Sequence, residues 1–116
     1  MDTENLLTTI VSRIMPLNPA KIILFGSHAK GTATSESDID LLVVLDNEQM
    51  PAGYDENMAN YLDVSSQIRD LKKKIDIDLI VHTLPMHRKF LALGSRFSEK
   101  IKKGRVLYEA DHRGVA

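Results

Sequence analysis

The chain of 116 residues contains no cysteine. It therefore has neither a disulfide framework nor a thiolate that could serve as a metal ligand or nucleophile. It also lacks an apolar run near the ~20 residues that a membrane-spanning helix requires. Its first residues, MDTENLL, are acidic where a secretory signal peptide is basic. These absences favour a cytoplasmic protein with no membrane association.

The composition is that of an ordinary globular protein, with 43% hydrophobic and 27% charged residues, so we expect residues 1–116 to form a single domain. The net charge of −1 is unevenly spread along the chain. Seven acids and no bases lie between positions 34 and 57, whereas seven bases and one acid lie between 84 and 105. Charge runs are usually solvated faces, although the basic one can also attract phosphates or an acidic partner.

Apolar periodicity predicts strands that alternate with helices. A first helix carries apolar residues from Leu6 to Ile14, is capped by Asp2 or Thr3, and ends before Pro16. Further helices are predicted at 27–30, about 55–74, 85–93 and 95–103, and strands at 21–25, 39–45, 75–81 and 106–108. The tail at 111–116 is expected to be loose. This alternation indicates a small α/β (α+β) domain.

Two pairs of acids stand at the start of apolar strands. Asp38 and Asp40 open the run DIDLLV at 38–43, and Asp76 and Asp78 open its near copy DIDLIV at 76–81. Residues i and i+2 of a strand face the same side, so each pair points one way. If the two strands are neighbours, three or four carboxylates converge on one patch.

Converging carboxylates repel one another, and a bound divalent cation relieves that repulsion. Oxygen ligands without cysteine suit Mg²⁺, or Mn²⁺, better than Zn²⁺. Two such ions about 4 Å apart clamp the attacking and leaving oxygens of an in-line phosphoryl displacement. The acid pairs therefore predict a magnesium site for phosphoryl transfer.

A candidate phosphate cradle precedes the first acid pair. Gly26 and Ser27 follow the strand KIILF and begin a short helix, and Lys30 lies one turn further along. Free amides at a helix start, a serine hydroxyl and a lysine can all bind phosphate oxygens. The spacing is not that of a GxxxxGK[ST] loop. A second Gly-Ser, at Gly94 and Ser95, has no acid pair after it and is assigned no function.

The stretch GSHAKGTATSESDID at 26–40 fits the pattern G-S-x10-D-x-D and resembles the DNA polymerase β-like nucleotidyltransferase superfamily. The compact length and the closing GSRFSEKIKKGRVLYE resemble its minimal nucleotidyltransferase branch, the MNT-domain proteins. The resemblance implies a mixed sheet flanked by helices. It also implies transfer of a nucleoside monophosphate from a nucleoside triphosphate to a hydroxyl, with two metal ions held by three acids.

The resemblance assigns roles by position. Gly26 and Ser27 would hold the triphosphate, and Asp38 and Asp40 would bridge both metal ions. Asp78 would be the third acid, which ligates the catalytic metal and helps to deprotonate the acceptor, with Asp76 as the alternative because it faces the same side. Relatives often read GSRARG here, so His28 and Lys30 replace arginines.

Two of the four histidines, His28 and His82, are interpreted as structural residues. His28 could be a contact residue of the site, but it is interpreted as a residue of the helix surface. His82 could be a ligand, but it is interpreted as a hydrogen-bonded residue at the end of the third strand. Neither His87 nor His112 has a context in the sequence that suggests a role.

The acceptor is expected to come from another chain, because 116 residues leave no room for an acceptor-binding domain. In the minimal branch the usual partner is a HEPN-domain toxin, which the nucleotidyltransferase neutralises by attaching AMP from ATP to a tyrosine. The basic stretch from Arg88 to Arg105 would form part of the docking face.

Other functions are also compatible with the sequence. The chain could be a non-catalytic antitoxin that neutralises its partner by contact, or could modify a small molecule, with a homodimer building the pocket. Transfer to an RNA end is disfavoured because the chain has no strong net basic charge.

Overall fold

The structure is a computed structural model that describes residues 2–34 and 37–110. Residues 1, 35 and 36, and the tail at 111–116 that was predicted to be loose, lie outside the described residues. The elements follow one another as α1 (Thr3–Ile14), β1 (Pro19–Phe25), α2 (Ser27–Lys30), β2 (Ile39–Leu45), α3 (Tyr54–Gln67), α4 (Arg69–Lys72), β3 (Ile77–His82), α5 (Leu84–Ala92), α6 (Arg96–Lys102) and β4 (Arg105–Glu109). No helix among the described residues has the length and apolarity to cross a membrane.

The four strands form one mixed sheet in the order β3-β2-β1-β4. Strand β1 pairs antiparallel with β2 and β4, whereas β2 and β3 run parallel. The parallel pair is possible because α3 and α4 lie between β2 and β3 in the sequence and return the chain to the same end of the sheet. The predicted class, a small mixed sheet flanked by helices, is confirmed.

Side chains of β2 alternate between two apolar layers. Ile39, Leu41 and Val43 pack in one cluster with the apolar faces of α1, α3 and α4. Leu42 and Val44 point to the other side, where they share a cluster with Ile101 of α6 and contact residues of α5. The sheet is therefore covered on both faces, and Asp40 lies on the α5–α6 side because it shares the parity of Leu42 and Val44.

Helix α1 begins and ends where local signals predict. The carboxylate of Asp2 accepts a hydrogen bond from the Asn5 amide at 2.8 Å, which satisfies a free donor of the first turn. The helix ends at Ile14, and a 3-10 turn that contains Pro16 follows. Asn18 adopts a left-handed conformation with φ of 58° and turns the chain into β1, which begins two residues before the predicted strand.

The single helix predicted at about 55–74 is wrong, because the structure has two helices that are separated at Ile68. That residue has φ of −119° and ψ of 18°, outside the helical region, and it is completely buried. A β-branched side chain has restricted rotamers in a helix, which lowers the cost of leaving helical geometry there. Strand β3 begins at Ile77 and not at 75, because the Ile75 amide donates back to the Leu71 carbonyl and so completes the preceding turn.

Three arginines join distant segments through exposed ion pairs. Arg13 of α1 pairs with Asp70 of α4 at 2.7 Å, and Arg105 of β4 pairs with Glu4 of α1 at 2.8 Å. Arg88 pairs with Glu48 at 2.7 Å. This last pair joins the basic and the acidic runs of the sequence. Exposed pairs of this kind contribute little to the stability of a fold, because water and salt screen their charges.

Candidate active site

Asp40 and Asp78 form the centre of the candidate site. The register of the parallel strands places them directly opposite each other, one step after the pair Ile39 and Ile77. The two DIDL segments therefore lie side by side and in phase. Asp40 is partly buried, whereas Asp78 is exposed to solvent. The site is thus open on the side of Asp78, which belongs to the edge strand β3.

The pKa of Asp40 reflects its burial and the charged groups around it. Burial raises the pKa of Asp40, and the hydrogen bond and the charge of Asp78 raise it further. The Lys100 ammonium acts in the opposite direction on this pKa, and the Asp38 carboxylate adds a smaller increase. The negative charge of Asp40 is therefore not fully offset by positive charges of the protein. A bound cation would offset it and favour the ionised form.

Asp38 and Asp76 occupy the positions just before their strands. Both are exposed, and the Ile39 amide donates to the Asp76 carbonyl at 2.9 Å, so the pairing of the strands begins there. Asp38 and Asp76 together line a separate depression of ≈ 250 Å³ beside Lys73. Of the four acids, the structure thus brings Asp40 and Asp78 into contact, keeps Asp38 within electrostatic reach, and directs Asp76 toward the depression.

The donor set of the site suits a hard cation. Within residues 2–34 and 37–110, no three His, Asp or Glu side chains are close enough together to hold a metal ion by themselves. Mg²⁺, however, is commonly held by one or two carboxylates and completes its shell with substrate phosphates and water. Asp40 and Asp78, with Asp38 nearby, fit that mode of binding.

Gly26 brings the candidate phosphate-binding turn next to Asp40 of the acid pair. It adopts φ of 74°, a conformation that favours glycine, and a methyl group added there would overlap the Asp40 Oδ2 atom. Helix α2 begins directly afterwards at Ser27, and its first turn is closed by the Lys30 amide, which donates to the Gly26 carbonyl at 3.1 Å. The predicted phosphate residues and the predicted acids therefore meet at one end of the sheet.

A cleft of ≈ 530 Å³ opens beside Gly26. Phe25, Gly26 and Lys30 line it together with three bases, namely Arg96 and Lys100 of α6 and Lys103, which directly follows that helix. These bases belong to the stretch that sequence reasoning assigned to partner docking. Their spacing of four and three residues placed them on one helix face, but nothing local indicated that this face meets the Gly-Ser turn.

His28 has a structural role that the sequence interpretation missed. It is partly buried and does not point freely into solvent, because its Nε2 donates to the Ser37 carbonyl at 3.2 Å. Ser37 directly precedes Asp38, so this hydrogen bond ties α2 to the start of the acid motif. The interpretation of His28 as a residue of the helix surface was therefore wrong. No local pattern in the sequence indicates that His28 contacts Ser37, which lies nine residues later.

His82 closes β3 as predicted, with a hydrogen-bonded ring. Its Nδ1 lies 3.1 Å from the Nδ1 of His87, and the Phe90 ring packs against it with a centroid distance of 5.1 Å. Burial, and secondarily the charge of His87, lower the pKa of His82 from 6.5 to about 4. Burial and then the charge of Lys21 lower the pKa of His87. The pair is therefore neutral at pH 7 and packs as part of the α5 interface.

Comparison with known proteins identifies the family. The profile described as "Polymerase beta, Nucleotidyltransferase" matches residues 8–113. The chain belongs to this family. The assignment confirms the resemblance drawn from the Gly-Ser and Asp-x-Asp motif, and it makes this chain a nucleotidyltransferase.

A short segment of this nucleotidyltransferase is closely similar to a curated relative. It is 69% identical over 26 residues to "Putative protein adenylyltransferase MJ0604" of Methanocaldococcus jannaschii. The match covers 22% of this chain and 26% of that protein, so it spans about a quarter of the relative's length.

Solved structures of toxin–antitoxin proteins share the fold. One is the crystal structure of a toxin–antitoxin with AMP-PNP, with a TM-score of 0.56 and 20% identity, which covers 91% of this chain and 75% of that chain. A mutant of the toxin–antitoxin MntA-HpeT gives a TM-score of 0.52 and 21% identity, over 97% of this chain and 76% of that chain. At such identity the likeness establishes the fold alone.

Proposed function

We propose that this nucleotidyltransferase moves AMP from ATP to a hydroxyl group of another protein in a Mg²⁺-dependent reaction. The observation that carries the proposal is the proximity of Asp40 and Asp78 at the end of the sheet where Gly26 directly precedes α2. Paired carboxylates beside a glycine-led helix start combine cation binding with phosphate binding. The choice of AMP rests on the adenylyltransferase name of the Methanocaldococcus relative.

Different residues of the chain would bind the triphosphate and the magnesium. Gly26, Ser27 and Lys30 would bind the triphosphate through backbone amides, a hydroxyl and a positive charge. Asp38, Asp40 and Asp78 would hold magnesium, with Asp76 as the alternative third acid. When bound, Mg²⁺ neutralises phosphate charge and polarises the α-phosphate.

Asp78 would receive the proton of the acceptor. It is exposed, so a hydroxyl on another molecule can approach it. The hydroxyl oxygen bonds to the α-phosphorus, the bond from that phosphorus to the bridging oxygen of the β-phosphate breaks, and pyrophosphate leaves. The proton of the hydroxyl passes to the Asp78 carboxylate. Positioning and charge compensation supply most of the rate in such reactions.

The proposed acceptor is a tyrosine of a HEPN-type toxin, which would make this chain the antitoxin of a toxin–antitoxin pair. Support comes from the resemblance to the minimal branch and from the toxin–antitoxin assemblies that share the fold. The exposure of Asp78 on an edge strand suits an acceptor that another protein carries.

The test uses α-³²P-ATP, Mg²⁺ and extract of the source cell, with wild type and the double variant Asp38→Ala/Asp40→Ala run side by side. We expect a labelled protein band with wild type only, and mass spectrometry of that band identifies the acceptor residue. γ-³²P-ATP is the matched control, because a kinase would transfer that label and an adenylyltransferase would not. A partner that is captured without label by both proteins would instead favour the non-catalytic antitoxin.

A further inference from the structure

Two bases of α6 and the lysine that directly follows the helix form one continuous face. Arg96, Lys100 and Lys103 are spaced four and three residues apart, which places them on the same side of a helix. Ser98 and Ile101 are buried on the opposite side, and the Phe97 ring meets the Phe25 ring edge to face at a centroid distance of 5.5 Å. The helix is thus anchored to the sheet while its basic face borders the cleft beside Gly26.

The charge of this cleft is strongly positive. Its lining carries Lys30 and the bases Arg96, Lys100 and Lys103 against one acid, Glu99. That acid is already paired with Lys102, at 3.2 Å, and Lys102 lies outside the lining. Among the described residues, none of these three bases forms an ion pair, whereas Arg13, Arg88 and Arg105 each have a carboxylate partner. The cleft therefore has uncompensated cations that an anion can pair with.

Lys100 connects this face to the acid pair. Its Nζ lies 5.9 Å from the centroid of the Phe25 ring, and its charge acts on Asp40. Phe25 and Asp40 are partners in the register of β1 and β2. A cation in this position bridges the carboxylates on one side and the cleft on the other.

We propose that Arg96, Lys100 and Lys103 form a second wall of the polyphosphate site and bind the β- and γ-phosphates of a nucleoside triphosphate opposite Gly26 and Lys30. The inference rests on the proposed function for the identity of the nucleotide, but it concerns polyphosphate binding as such. It also reassigns these bases from partner docking to substrate binding.

The experiment is calorimetric titration of the full chain with ATP, with inorganic tripolyphosphate and with AMP, at low and high salt. Lys100→Ala is expected to weaken ATP and tripolyphosphate binding about tenfold and to reduce the salt dependence of both. Binding of AMP, which lacks the β- and γ-phosphates, should change less than twofold. Lys100→Arg retains the charge and should bind ATP within about threefold of wild type.

The matched control is Lys89→Ala, an exposed lysine of α5 in the same basic stretch but outside the cleft lining. It should bind ATP as wild type does. Equal ATP affinity of Lys100→Ala and wild type, an equal loss in Lys89→Ala, or a wild type that binds no tripolyphosphate would each overturn the inference. Lys100-dependent ATP binding without transfer of label to any protein would refute the proposed function and leave the inference standing.

Discussion

Asp40 and Asp78 stand directly opposite each other on the parallel strands β2 and β3, and the proximity of Asp78 raises the pKa of Asp40. The two similar DIDL segments are thus paired in the sheet, since Ile39 is also opposite Ile77 in the same register. That pairing distinguishes Asp78 from Asp76, which the sequence alone left as alternatives. Asp76 lies instead in the depression that it shares with Asp38.

The choice between the two acids of β3 is directly testable. We expect Asp78→Asn to lower the rate of AMP transfer about 10²–10³-fold, because it removes the carboxylate beside Asp40 and the proposed proton acceptor. Asp76→Asn, the matched control two residues earlier, should keep the rate within about threefold of wild type. Transfer of label from α-³²P-ATP measures both. The opposite ranking of the two variants would make Asp76 the third acid.

Loss of the Asp40 charge should stabilise the metal-free protein while it abolishes transfer. The pKa of Asp40 is raised in the fold by burial and by Asp78, so the folded state disfavours its ionised form at pH 7. Asp40→Asn removes that cost, and we expect the free energy of unfolding to rise by about 0.5 kcal/mol in EDTA, a small value because the carboxyl is partly exposed. Urea denaturation measures the change.

Added Mg²⁺ provides the complementary measurement on the same pair of proteins. A cation that binds only the folded state raises the melting temperature of wild type, and Asp40→Asn should lose most of that increase. Equal stabilisation of both proteins by Mg²⁺ would show that the cation binds elsewhere.

Two glycines of the α2 turn should respond differently to alanine. Gly26 and Gly31 have similar φ angles, 74° and 75°, but only at Gly26 would a methyl group meet Asp40. Gly31→Ala should cost about 1 kcal/mol of stability for the strained φ and retain transfer activity. Gly26→Ala should cost about 1–2 kcal/mol and lower transfer about a hundredfold, because it displaces Asp40 from Asp78. Thermal unfolding and label transfer, measured in parallel, separate the two effects.

The His82–His87 pair should make the protein less stable in acid. The pKa of His82 falls to about 4 in the fold, against 6.5 for an exposed imidazole, and the pKa of His87 is also lowered. Between these values the unfolded chain binds more protons than the folded one, so stability is full above pH 6.5 and is lost as the pH falls toward 4. Allowing for partial exposure, we expect a loss of about 1–2 kcal/mol.

Urea denaturation at several pH values between 4 and 7 checks this expectation. The double variant His82→Gln/His87→Gln should have a lower free energy of unfolding at pH 7, because the ring packing against Phe90 is lost. Its free energy should also vary less with pH than that of wild type. An unchanged pH slope in the double variant would assign the acid sensitivity to other groups.

Local patterns in the sequence were sufficient for most elements. The apolar run after Asp38 predicted β2 with its bounds as observed, and the Ser27–Lys30 helix between two glycines was predicted correctly. Errors occurred where a tertiary contact prevailed over a local pattern. Ile68 leaves the helix while remaining buried, and the Ile75 amide continues the preceding turn before β3 can begin.

The sequence by itself determined which chemical groups are available: a helix start preceded by glycine, two acid pairs at strand starts, and a basic helix face. It also excluded thiols, because the chain has no cysteine. These follow from spacings of two to four residues, which the backbone geometry of strands and helices converts into shared faces. Tertiary structure alone decided which groups meet. The strand order put Asp78 beside Asp40, and the packing of α6 brought Lys100 to the Gly26 cleft. Residues so far apart in the chain become neighbours only through sheet pairing and the burial of apolar faces, which no local spacing records.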